Sequence, residues 1–180
     1  MEATIKFTKL HSDAIIPNKR VEDMGLDLYA CFDEEFRVIA PHETALIPTG
    51  LAYAISNDYG LIVKERGSTG SKGMAIRMGV LDSGYRGEII LGITNTTEEV
   101  IVISKLEKQE IKNKLGQAMG LLPFRHYIHD DAYVVYPYQK ALAQAIVVPV
   151  PKLQIEEVSY NDLCRITSER GTGAFGSSHK

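Results

Sequence analysis

Gly79-Val-Leu-Asp-Ser-Gly-Tyr-Arg-Gly87 runs directly into Glu88-Ile-Ile-Leu-Gly-Ile-Thr94. Glycines and a serine around Asp82 mark a turn, and the β-branched run behind it reads as a strand. Outward from this stretch, short β-type runs dominate. Ile5 and Phe7 alternate with Thr4, Lys6 and Thr8, the period of a half-buried strand. Glu35–Ala40 stops at Pro41; Thr44–Pro48 and Leu51–Ile55 follow, closed by Ser56-Asn57-Asp58. Leu61–Lys64 is rich in β-formers, and Tyr133–Tyr138 and Ala143–Val150 supply two further strands. Glu88–Thr94 and Val100–Ser104 flank Asn95-Thr96-Thr97-Glu98-Glu99, which predicts a hairpin loop. Many short strands punctuated by turns predict an all-β sandwich or barrel rather than a βαβ fold.

One segment departs from this pattern. Lys105–Met119 is charged, with Leu106, Ile111, Leu115 and Met119 spaced by four or five, which predicts an amphipathic helix ended by Gly120 and Pro123. It reads as an insertion between two strands. His126-Tyr-Ile-His129-Asp130-Asp131 inside it has a metal-like composition without a specific spacing and reads as a solvated loop. Glu169–Lys180 is rich in glycine and serine, has little apolar surface to bury, and predicts a mobile tail.

Composition narrows the function. A chain of 180 residues, 44% hydrophobic, suits one domain with a real core. A net charge of -3 argues against a general nucleic-acid or membrane-surface binder, while leaving room for a local basic pocket. Cys31 and Cys164 lie far apart without partner ligands, so neither a disulfide framework nor a zinc site is expected. The N-terminus shows no basic-then-apolar pattern and no run is long enough to span a membrane, so a soluble cytoplasmic protein is expected.

Three glycine-bearing segments carry the candidate chemistry: Lys64–Gly73, Gly79–Gly87 and Arg170–Ser178. The first and third combine an arginine with small residues and hydroxyls. A polyphosphate site needs that combination: close-approaching N–H groups, hydroxyl donors and a guanidinium. Neither is a Walker loop. The first and third alone each read more readily as surface loops, and Tyr85 as a core strand tyrosine competes fairly with a binding role, whereas Asp82 as a turn cap ranks below a catalytic reading.

Together the segments resemble the motifs of the trimeric dUTPase family, in that family's order. Met24-Gly-Leu-Asp-Leu-Tyr-Ala30 is similar to the first and Arg66–Lys72 to the second. Gly79–Asn95 matches the third closely, Leu142–Pro149 resembles the fourth, and Arg170–Ser178 matches the fifth closely. The resemblance implies a distorted jelly-roll β-barrel with a short helical insertion and a flexible C-terminal arm. The barrel would span residues 1–168, the insertion about 104–133 and the arm 169–180. It also implies a homotrimer with active sites at subunit interfaces, cleaving dUTP to dUMP and pyrophosphate with Mg2+.

In that family's scheme Asp82 is the general base for the attacking water, a task a carboxylate suits. Tyr85 lies against the deoxyribose and excludes a 2′-hydroxyl. Main-chain groups of a hairpin within Ile76–Val80, above all Met78 and Gly79, read uracil. Arg66, Ser68 and Gln144 hold the α- and β-phosphates, and Asp27 touches the metal through water. Arg170 pairs with the γ-phosphate, Phe175 stacks on uracil, and Gly176 and Ser177 close on the terminal phosphate. The insertion is a candidate surface for a protein partner.

The chain also departs from the family. The second motif reads Arg66-Gly67-Ser68, which moves the hydroxyl by one place and leaves open whether Gly67 or Ser68 contacts the phosphate. Gln139-Lys140-Ala141 replaces the usual lead-in to the fourth motif. Two rival readings remain. A dCTP deaminase, which shares the fold, needs a glutamate where Gly92 stands. A regulatory protein would bind a partner through the insertion and use dUTP as an effector.

Overall fold

The computed structural model describes residues 3–118 and 133–172. They form two compact units, Met1–Val150 and Pro151–Lys180. The first carries twelve strands: β1 (Lys6–Lys9), β2 (Gly25–Leu28), β3 (Phe36–Ile39), β4 (Thr44–Pro48), β5 (Leu51–Ala54), β6 (Tyr59–Glu65), β7 (Met74–Arg77), β8 (Val80–Leu81), β9 (Ile90–Asn95), β10 (Val100–Ser104), β11 (Tyr133–Pro137) and β12 (Ala143–Pro149). A single helical turn, α1 (Gly67–Gly70), follows β6, and α2 (Lys108–Ala118) follows β10. The second unit contains α3 (Tyr160–Arg165), started by the Ser159 hydroxyl accepting from the Asp162 N–H.

The ladders form four sheets, ordered β1-β5, β11-β10-β3, β2-β12-β6-β8 and β4-β9-β7. They wrap one main core in a jelly-roll-like arrangement, without closing into a single hydrogen-bonded barrel. Leu28, Ile39, Ile47, Leu51, Leu61, Leu91, Ile93 and Ile101 are wholly buried there, each contributing about 1.5–3 kcal/mol relative to exposure. Most strands fall where period-two patterning predicts them. β2, α1 and α3 carry no such pattern: β2 and α1 lie in loop-like glycine segments, and α3 is exposed throughout.

The expected helix forms, three residues shorter at its start, and Met119 and His126–Asp131 lie outside the described residues. Ile111 of α2 is buried with Val100, Val102 and Tyr133 in a second, smaller core. β10 and β11 run parallel, in register from Val100 opposite Tyr133 to Ser104 opposite Pro137. Parallel neighbours cannot be joined by a tight hairpin, so β10 and β11 are not a hairpin pair.

The loop at residues 95–99 is not a hairpin. β9 pairs with β4 and β7, whereas β10 pairs with β3 and β11. The segment is a corner between two sheets. Asn95 pins it, its amide donating to the carbonyls of Ile39 and Glu99.

Candidate active site

Three neighbouring strands build the first half of the site. Asp27 on β2 and Lys64 on β6 both stand opposite Gln144 on β12. Strand side chains alternate between faces, and Ala143 and Ala145 occupy the core face, so Gln144 looks outward. Gly25 makes room for it: a Cβ there would lie 2.5 Å from the Gln144 Oε1. The Gln144 amide donates to the Glu65 carbonyl at 3.0 Å. Arg66 leaves the end of β6, pairs with Asp27 at 2.9 Å and reaches the Ala141 carbonyl at 3.4 Å.

α1 begins beyond Arg66, set by the Thr69 hydroxyl accepting the Arg66 N–H at 2.9 Å. Asp27, Arg66, Gly67, Ser68 and Gln144 line one cleft of about 600 Å³. The space around Gly67 is open, with no atom within 4 Å of an added Cβ. Both Gly67 and Ser68 stand at the cleft. Lys19 and Arg20 line the same cleft, an addition that patterning missed. Two consecutive cations four residues ahead of Met24 were the available signal.

The second half is a turn. β7 ends at Arg77, and the next residue, Met78, has a φ of 57°, unusual for a side-chain-bearing residue. The two short strands around Met78-Gly79 do not form the expected hairpin with each other: β7 ladders with β9 and β8 with β6. The turn thus switches the chain between sheets. Gly79 packs so closely on β6 that a Cβ would lie 2.6 Å from the Val63 carbonyl, and its own carbonyl accepts the Val63 N–H at 2.7 Å.

Met78, Gly79, Asp82, Tyr85 and Glu88 line a second cleft of about 400 Å³. The Tyr85 N–H closes the turn on the Asp82 carbonyl at 3.0 Å, and the Tyr85 hydroxyl donates to the Glu88 carbonyl at 2.9 Å. Tyr53, buried on β5, donates its hydroxyl to the Asp82 carbonyl at 2.5 Å. Burial pushes the Tyr53 phenol above its ordinary 10.0, and the negative charge of Asp82 pushes the same way.

Within the chain the two clefts are separate. Leu61 pairs with Leu81, which places Asp82 beside Gly60 at the far end of β6 from Arg66. Six residues of strand separate those ends by about 20 Å. No single phosphate group lies against both. Arg170, in the second unit, is exposed, with its N–H on the Ser168 hydroxyl at 3.3 Å. Phe175, Gly176 and Ser177 lie outside the described residues.

A jelly-roll-like all-β protein that sets a guanidinium, a hydroxyl and an amide around one cleft, and a carboxylate beside an aromatic ring at another, has the make-up of a nucleotide-binding protein. The chain belongs to the dUTPase family: the dUTPase family model matches residues 12–108, which include both clefts except Gln144. The deoxyuridine 5'-triphosphate nucleotidohydrolase of Paraburkholderia xenovorans is 31% identical over 87% of this chain and 82% of its own length. Among solved structures, the Staphylococcus bacteriophage 80alpha dUTPase with dUPNHPP has a TM-score of 0.70 at 24% identity, covering 98% of this chain and 99% of that one. A D95N dUTPase from phage phi11 of S. aureus, solved with a structural Mg(II) ion, has a TM-score of 0.62 at 22% identity, covering 86% and 96%.

Proposed function

We propose that this chain hydrolyses dUTP to dUMP and pyrophosphate. One observation carries the reading: Asp82 and Tyr85 ride on a single hydrogen-bonded turn at the edge of the second cleft. In the reaction a water oxygen bonds to the α-phosphorus, its proton passes to the Asp82 carboxylate, and the bond from the α-phosphorus to the bridging oxygen breaks to release pyrophosphate. Tyr85 stacks against the deoxyribose, while the main chain at Met78 and Gly79 reads the uracil edge. Arg66, Gln144 and the Gly67-Ser68 pair hold the phosphates, with Lys19 and Arg20 adding positive charge at the same cleft.

Magnesium, when bound, would supply positive charge to offset the negative charge of the triphosphate. The donor set fits that role. Asp27, whose carboxylate lies at the cleft wall beside Arg66, would touch the ion through water.

The separation of Asp82 from Arg66 along β6 supports a complete site that takes the carboxylate from one protomer and the phosphate grip from another. A closed homotrimer provides that arrangement. The arm 169–180 then acts as a lid, with Arg170 on the γ-phosphate, Phe175 over uracil, and Gly176 and Ser177 on the terminal phosphate. Segment 104–133 is proposed to carry a site for a protein partner. Among the described residues no helix is long and apolar enough to cross a membrane, in keeping with a proposed cytoplasmic location.

Gly92 weighs against deamination twice over. It lacks a carboxylate, and a Cβ there would sit 3.2 Å from the Met78 sulfur and 3.3 Å from the Arg77 carbonyl. A pyrophosphate-release assay across dUTP, dCTP, dTTP and UTP tests the proposal. Preference for dUTP supports it; ammonia release from dCTP contradicts it.

A further inference from the structure

The segment from Asp82 to Ile89 is tied to one neighbouring stretch, Thr49–Tyr53, at both ends. At the far end, the Thr49 hydroxyl donates to the Ile89 carbonyl at 2.7 Å and the Gly50 N–H donates to the Glu88 carboxylate at 2.7 Å. At the near end stands one side-chain bond, from the Tyr53 hydroxyl to the Asp82 carbonyl. Asp82 lies just past the last ladder pair of β8 and is exposed. Neither sheet register nor packing holds it, so its placement depends on hydrogen bonds. Its carbonyl accepts two, from Tyr53 and from the Tyr85 N–H.

We infer that Tyr53 is a positioning residue for the reaction, its buried hydroxyl fixing the Asp82 main chain and so the aim of the carboxylate at the water. The inference rests on the dUTP reading above. Tyr53 is 2% exposed and central in β5. A phenol hydroxyl is poorly accommodated in a core unless paired, and an apolar side chain would fill the same space. The oxygen therefore marks a requirement at its partner, the first residue of the turn. Burial and the Asp82 charge both keep the phenol protonated, so it remains a donor. The hydroxyl does not touch substrate; it acts through Asp82. A misplacement of about 1 Å in a reacting group costs on the order of 100-fold in rate.

The test is Tyr53→Phe, which removes one oxygen and keeps the ring in the core. The account expects kcat for dUTP to fall about 10- to 100-fold with KM altered less than about 2-fold, because the phosphate grip is untouched. Thr49→Val, which releases only the far tether, should keep kcat within about 2-fold of the parent. Adding Tyr53→Phe to Asp82→Asn should cause no further loss. Amide exchange gives a readout independent of turnover: in Tyr53→Phe the Tyr85 amide exchanges faster while the Val63 amide does not. An unchanged kcat, an equal loss in Thr49→Val, or unchanged Tyr85 exchange overturns the inference. A parent protein inactive on dUTP would refute the functional reading instead, and the exchange comparison would still decide the role of Tyr53.

Discussion

Asp27 and Gln144 face the first cleft because their laddered strands leave them no other face, whereas Asp82 and Tyr85 face the second from a turn that no ladder holds. The proposed phosphate grip is thus a by-product of sheet register. A one-residue slip would turn the set inward. The proposed catalytic turn is set by a few named hydrogen bonds, at Tyr53, Tyr85 and Glu88. Rigid register suits a task that needs charge spread over several phosphates. Point-by-point tethering suits a single carboxylate that must meet a single water.

The largest expected effect lies at the turn. Asp82→Asn should keep binding of a non-hydrolysable dUTP analogue and lower kcat about 1,000-fold, within the range for loss of a general base; near-normal turnover would show that another group takes the proton. Removing Arg170–Lys180 comes next. It should lower kcat/KM on the order of 100-fold, because phosphate contact and base stacking are lost together. The melting temperature should hold, since residues 170–172 are exposed; full activity in the truncated protein would remove the lid from the account.

On the register side the effect is smaller. Gly25→Ala places a methyl group against Gln144 and should raise KM for dUTP about 10-fold, worth about 1.4 kcal/mol of binding, with kcat little changed. A kinetic titration reads it directly. The smallest effect is on stability at alkaline pH. The folded-state pKa of Tyr53 lies above its ordinary 10.0, so folding favours the neutral phenol. That contribution is complete below about pH 10 and is lost as pH rises through the folded value. Denaturant unfolding at pH 9 and 11 should show a steeper loss in the parent than in Tyr53→Phe.

Much of this was legible from residue order. Alternation marked most strands because their inner positions, such as Leu91 and Ile93, are wholly buried. The clusters at Arg66–Gly73 and Gly79–Gly87 announced a nucleotide site because glycines there serve close approach, as Gly79 does against Val63. Three things were not legible. β2 hides behind a glycine and an aspartate because only two of its four residues enter the core. Segments 74–81 and 88–104 look like hairpins locally, yet strand pairing is a long-range property and sends their members to different sheets. The role of Tyr53 depends on a partner 29 residues away, and nothing in Leu51–Ala54 distinguishes it from an ordinary core aromatic.

The central claim is that a working site joins the turn of one protomer to the phosphate grip of another. Mixing two inactive variants, Asp82→Asn and Arg66→Ala, after unfolding and joint refolding tests it. If the site is shared, random assembly restores up to about a quarter of the parental activity, since that fraction of sites unites an intact Asp82 with an intact Arg66. If the mixture is no more active than either variant alone, both groups belong to one protomer and the shared-site account is wrong.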